Sequence, residues 1–128
     1  MDAHKKYINR CLALGHKAAE EGESPVGSII VKNGVIIGEG YENSRQLKDI
    51  TRHAEIMAIL DALKSTSDLS GAILYSNVEP CILCSYAIRH YKIAEVVFAR
   101  SAGELGGTHV PFNILTNAAF KSWGHLPK

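Results

Sequence analysis

The chain has 128 residues, of which 46% are apolar and 21% charged, and its formal net charge is +1. That apolar content supports one buried core, so residues 1–128 read as a single domain, and it excludes a disordered chain. No apolar run approaches the roughly 20 residues that span a bilayer, and no basic excess marks a general nucleic-acid binder. The first residues lack the apolar core of a secretory signal, so a cytoplasmic location is the expectation.

In chain order, Tyr7, Ile8, Cys11, Leu14 and Ala18 fall at helical spacing and predict a helix over 4–20. Gly22 and Pro25 end it. Gly27–Val31 and Val35–Glu39 are β-rich runs separated by Lys32-Asn33-Gly34. Asn-Gly is the strongest short hairpin signal, so these strands form an antiparallel pair. Residues 41–51 read as a polar loop. Ile56, Ile59, Leu60 and Leu63 mark an amphipathic helix that starts at His53. Ile73-Leu74-Tyr75 predicts a short strand, and Cys81–Tyr91 a helix with Pro80 at its start. Val96–Ala99 predicts another strand, Gly103–Gly107 a loop, and Phe112–Trp123 a last helix. Strands alternating with helices imply parallel crossovers. The expected fold class is therefore an α/β, three-layer α/β/α sandwich with a mixed sheet that opens on a hairpin.

Three cysteines are a poor disulfide framework. Cys11 lies on the apolar stripe of the first helix and reads as core. Cys81 and Cys84 stand three residues apart, so both sulfurs lie on one face of a helix's first turn. His53 opens another helix that starts at the same side of the sheet. One imidazole and two thiolates supply three points of a tetrahedral Zn²⁺ site and leave one position open, the mark of catalytic zinc. Glu55, two residues after His53, is placed to move a proton beside that site. Two other readings stand beside this one. A redox pair of Cys81 and Cys84 leaves His53 and Glu55 without a role. A closed structural zinc needs His90 or His109, neither of which has a short-spacing partner.

The sequences His53-Ala54-Glu55 and Pro80-Cys81-Ile82-Leu83-Cys84 resemble the H-x-E and P-C-x-x-C motifs of the cytidine deaminase-like superfamily of zinc-dependent deaminases. The resemblance runs from Pro25-Val26-Gly27 through Gly38-Glu39-Gly40 to the Val96–Ala99 strand. It is nearest to the branch that holds guanine, cytosine and tRNA adenosine deaminases. It implies zinc ligands His53, Cys81 and Cys84, with Glu55 as proton shuttle to the ring nitrogen and leaving amine while hydroxide attacks the amino-bearing carbon. It also implies a backbone N–H near Ala54 that positions the attacking oxygen, and a homodimer built on the helices beside the site.

Two positions depart from the family pattern. Glu42 stands where an Asn usually grips the base, with Asn43 next to it, and either is a candidate substrate contact. Arg52 replaces a small or apolar residue before the metal histidine and is a candidate for a substrate carboxylate or phosphate. Glu79 is open to either a structural hydrogen bond or a substrate contact. The family's fifth strand and last helix have little room here, since 28 residues follow Arg100. The expected activity is release of ammonia from a small nucleobase or nucleoside such as guanine or cytosine. The alternatives are a tRNA-specific adenosine deaminase, with tRNA as partner and a basic face that the net charge does not suggest, and a non-catalytic zinc-stabilised module.

Overall fold

The Asn33-Gly34 step folds as the sequence requires. Both residues have positive φ (53° and 76°) and join β1 (Gly27–Lys32) to β2 (Val35–Tyr41) in an antiparallel hairpin. The structure, a computed structural model, describes residues 2–119 and 123–128. Around the hairpin run α1 (Asp2–Glu20), the short α2 (Ser44–Leu47), α3 (Ala54–Ala62), β3 (Ile73–Val78), α4 (Ile82–His90), β4 (Glu95–Arg100) and one 3₁₀ turn (Gly103–Leu105). The sheet order is β2-β1-β3-β4. β1 is antiparallel to both neighbours, whereas β3 and β4 are parallel. β2 and β3 therefore point the same way, and α3 crosses from one to the other.

Strand alternation sorts the core into two layers. Ile30 and Leu74 face Ala58, Ile59 and Ala62 of α3 and Ile88 of α4. Ile29, Val31 and Tyr75 face the other way, onto Cys11 and Leu14 of α1. This is the expected three-layer sandwich with a mixed sheet, and Cys11 is a core residue.

The buried face of α3 differs from the expected Ile/Leu stripe. Ala54, Glu55, Ala58, Ile59 and Ala62 are buried, while Leu60 is exposed. The cause lies on β2. A Cβ on Gly38 would overlap Ala58 and Ala62, and one on Gly40 would overlap Met57 and Ala58. Small residues on both sides let helix and strand backbones approach closely.

Residues 112–119 depart from the expected last helix and form turns. The carbonyls of Ile114 and Asn117, which a helix would use internally, accept hydrogen bonds from Arg89 Nη1 at 2.7 and 3.0 Å. Leu115 anchors this segment in the α3–α4 core. Phe120 lies outside the described residues, and Trp123 packs edge-on against Tyr86. Along β4, the Lys128 N–H donates to Ala94 O and the Val96 N–H donates to Lys128 O, the pattern of a parallel ladder. Among the described residues no helix is long and apolar enough to cross a membrane.

Substitution of Gly40 by Ala should force α3 away from β2. Urea unfolding should show a loss of about 1–3 kcal/mol, whereas Gly34→Ala, where no neighbour crowds a Cβ, should act only through its positive φ. Equal stability of Gly40→Ala and the unaltered chain would show that the close approach is not required.

Candidate metal centre and catalytic cleft

Because β2 and β3 are parallel, their carboxyl ends open at one end of the sheet, where ligand crevices form in α/β folds. The chain leaves β2, passes through residues 42–52 and enters α3 at His53. It leaves β3 and enters α4 at Cys81. His53 and Cys81 are the N-cap residues of these helices, both with extended backbone, and neither side chain makes a cap hydrogen bond. Their side chains are thus free for other work, and both helices present their positive ends to the same spot.

His53 Nδ1 lies 3.4 Å from Cys81 Sγ and 3.5 Å from Cys84 Sγ. The three donor atoms lie within 4.8 Å of one another. A tetrahedral Zn²⁺ with ordinary Zn–N and Zn–S bonds has an N···S edge of about 3.5 Å, so the group fits zinc without rearrangement. His90 and His109 do not belong to this group among the described residues. The closed structural site therefore gains no fourth ligand.

The electrostatics agree with a metal site. The Cys84 hydrogen bond pulls the Cys81 thiol down to about 4, against the cost of burial and with help from His53, while Cys84 is pushed up by its bond to Cys81 and by burial. The hydrogen bond to Cys81 raises His53 to about 9. Metal-free, the cluster thus holds protons that zinc must displace. Glu55 is buried beside it on the first turn of α3. Burial pushes its carboxyl up to about 7, with Cys81 and Glu42 adding to the rise. A carboxyl that exchanges its proton near neutral pH is suited to general acid–base work.

A cleft of ≈ 260 Å³ opens over these groups; Glu42, His53, Glu55, Glu79, Cys81 and Leu105 are among its lining residues. Glu42 is therefore at the site, with its Oε2 accepting from Ser44 Oγ at 2.6 Å. Asn43 and Arg52 are placed elsewhere. They line a larger groove of ≈ 650 Å³ that runs around the open edge of β2 with Arg10, Lys17, Tyr41 and Lys64. Arg52 pairs there with Asp49 at 3.1 Å, and Asn43 Oδ1 is buried without a hydrogen-bond partner. Ala54 is fully buried in the first turn of α3.

Two further carboxylates bear on the site: Glu23, which no sequence pattern singles out, and Glu79, for which the sequence leaves a structural bond and a substrate contact both open. Buried Glu23 accepts the backbone N–H groups of Arg45 and Gln46 at 3.0 and 2.8 Å, so it caps α2 and holds the segment that presents Glu42. Glu79 is buried in a shell of donors from residues 101–108; burial opposes its ionisation, but the bonds from Thr108, Ala102 and Ser101 outweigh it and hold the carboxyl below the usual range. Glu79 is thus a structural hydrogen bonder.

Residues 1–100 match the family described as the cytidine and deoxycytidylate deaminase zinc-binding region. The chain belongs to this family. It is a zinc-dependent hydrolytic deaminase, with Zn²⁺ as cofactor. It is 39% identical over 126 residues to a tRNA-specific adenosine deaminase of Aquifex aeolicus (strain VF5), covering 94% of this chain and 83% of that one. It superposes with a TM-score of 0.87 and 27% identity on a structure from work on A-to-I editing by tRNA:A34 deaminases at the wobble position, covering 97% of this chain and 95% of that one. It is also 36% identical to a guanine deaminase from Bacillus subtilis, with a TM-score of 0.72 over 77% of this chain and 64% of that one.

The raised Glu55 makes a pH signature. A carboxyl lifted from near 4.5 to about 7 on folding contributes stability that is complete below pH 4.5 and is lost as pH rises through 7. In metal-free protein, urea unfolding should therefore show the unaltered chain losing roughly 3 kcal/mol relative to Glu55→Gln across that window. Parallel pH profiles would contradict the assignment.

Proposed function

We propose that this deaminase converts adenosine in transfer RNA to inosine. The observation that carries the reading is the superposition on a tRNA:A34 deaminase over nearly the whole of both chains. The Aquifex relative supports it over a similar extent. A net charge of +1 is a sum over the whole surface and does not oppose a local RNA contact. Arg10, Lys17, Arg52 and Lys64 line one groove together with Glu39 and Asp61, and three of these cations are paired with carboxylates, Arg10 with Glu39, Arg52 with Asp49 and Lys64 with Asp61. Arg52 and Asn43 would meet RNA there, outside the cleft itself.

In this reading His53, Cys81 and Cys84 would hold the zinc. Zinc supplies Lewis acidity that brings the pKa of coordinated water near 7. The chain's own groups do the rest. The Ala54 backbone N–H, at the positive end of α3, orients the attacking oxygen. The Glu55 carboxylate takes one proton from the attacking water and passes it to the ring nitrogen of the base. It then takes the second from the added hydroxyl and gives it to the amine, which leaves as ammonia as the C–N bond breaks and the C=O bond forms. Glu42 borders the base, and Val26, Ala102 and Leu105 exclude water around it. Leu83 and Tyr86, 41% and 55% exposed on α4, support a homodimer in which that face is covered.

A second reading, deamination of a free base such as guanine, is favoured by Glu42. A carboxylate accepts hydrogen bonds but donates none, and free guanine presents N–H donors where adenosine presents ring-nitrogen acceptors.

Zinc-loaded protein should form inosine in an anticodon stem-loop with adenosine at the wobble position. Ammonia release from guanine or cytosine, with no inosine formed in the RNA, would replace the tRNA reading by the free-base one. Glu55→Ala should keep its zinc and lose about 10²–10⁴-fold in turnover; undiminished turnover would remove Glu55 from the mechanism.

A further inference from the structure

Glu79 is a buried carboxylate at the cleft wall that takes no step in the proposed reaction. Its relative exposure is 2%. Oε1 accepts the Ala102 N–H at 3.0 Å and the Ser101 hydroxyl at 3.2 Å. Oε2 accepts the Thr108 N–H at 3.0 Å and its hydroxyl at 2.5 Å. His109 Nδ1 stands 3.3 Å from the same oxygen. Glu79 also donates its own N–H to Arg100 O at 2.8 Å. Both oxygens are thus consumed by the 101–109 loop.

That loop returns to the turn that delivers Cys81. The Gly107 N–H donates to Pro80 O at 2.8 Å, and Gly106 forms a lone β-bridge with Cys81. The space is full. A Cβ on Gly106 would overlap the Glu79 carboxylate, and one on Gly107 would overlap Ser85 Oγ. Ser85 Oγ in turn donates to Cys81 O at 2.7 Å. The same loop carries Ala102 and Leu105, which wall the cleft.

We propose that Glu79 is a positioning residue for the zinc site: its carboxylate fastens the 101–109 loop against the Pro80-Cys81 turn and so sets the place of the Cys81 thiolate and of the cleft wall. It acts through Cys81 and touches no reacting atom. The four groups hydrogen-bonded to it, two backbone N–H groups and two hydroxyls, all donate, so an acceptor on both oxygens satisfies the shell. Glutamine at this position would turn an NH₂ towards donors and leave buried N–H or O–H groups unpaired. The inference rests on Cys81 being a zinc ligand and is independent of which base is deaminated.

The test is zinc affinity of the full chain, measured by competition with a chromophoric chelator, together with the thiolate-to-metal absorption of the cobalt-substituted protein. Glu79→Gln should bind zinc about 10- to 100-fold more weakly and shift the cobalt bands. Thr108→Val, which removes one hydroxyl and keeps the backbone donors, should change both in the same direction by less. Leu14→Ala, which loosens the core on the α1 side of the sheet, should leave both unchanged at a similar loss of stability. Unaltered zinc affinity and cobalt bands in Glu79→Gln, or losses no greater than those of Leu14→Ala, would overturn the proposal. If Glu79→Gln does not fold, unaltered values in Thr108→Val would overturn it instead. Cys81→Ser separates the premise from the inference, since full affinity there would remove Cys81 from the ligand set itself.

Discussion

The close approach of α3 to β2 is the constraint on which the rest of the molecule depends. Gly38 and Gly40 leave no room for a side chain between the strand and Ala58 and Ala62 of the helix. That contact sets the depth at which α3 lies on the sheet, and hence where its first turn places His53 and Glu55. α4 descends from β3, which runs parallel to β2, so its first turn reaches the same end of the sheet. An imidazole and two thiols meet there, carried on the starts of two helices. Fixed depth and parallel direction together bring two helix starts into one candidate metal site.

Four glutamates near that junction show how environment assigns different work to one side chain. Glu55 is buried beside His53 and Cys81, and burial pushes its proton affinity up, as its proposed role in carrying a proton needs. Glu79 lies among donors that hold it ionised, as a structural tie needs. Glu23 spends its oxygens on the backbone of α2. Glu42 is half-buried at the cleft and tied at one oxygen by Ser44, which leaves the other available to a ligand. Burial raises a carboxyl, and donors aimed at it lower it; the balance at each position separates the proton carrier from the tie.

Much of this was legible in the sequence because it rests on local patterns. Asn33-Gly34 announced the hairpin, the spacing of Tyr7, Cys11, Leu14 and Ala18 announced α1, and the H-x-E and P-C-x-x-C spacings announced the zinc chemistry. The Gly38-Glu39-Gly40 run carried the family resemblance, but its physical meaning, room for Ala58 and Ala62, needed three dimensions. What stayed hidden depends on contacts between residues distant in the chain. Nothing near residues 112–119 shows that Arg89 takes their carbonyls, so apolar spacing alone suggested a helix. Adjacent residues 42 and 43 look equivalent as substrate contacts in sequence, yet the end of β2 turns Glu42 to the cleft and Asn43 to the groove around the sheet edge. Whole-chain charge likewise says little about RNA, because it averages over the surface that would bind it.

The chemistry turns on whether His53, Cys81 and Cys84 together hold one zinc ion at the meeting of two helix starts. Zinc K-edge X-ray absorption of protein loaded with one equivalent of zinc tests it most directly. The expected shell is two sulfur neighbours at about 2.3 Å and two lighter neighbours at about 2.0–2.1 Å, one of the lighter ones lost on His53→Ala. Fewer than two sulfurs, or a shell unchanged by loss of His53, would contradict it.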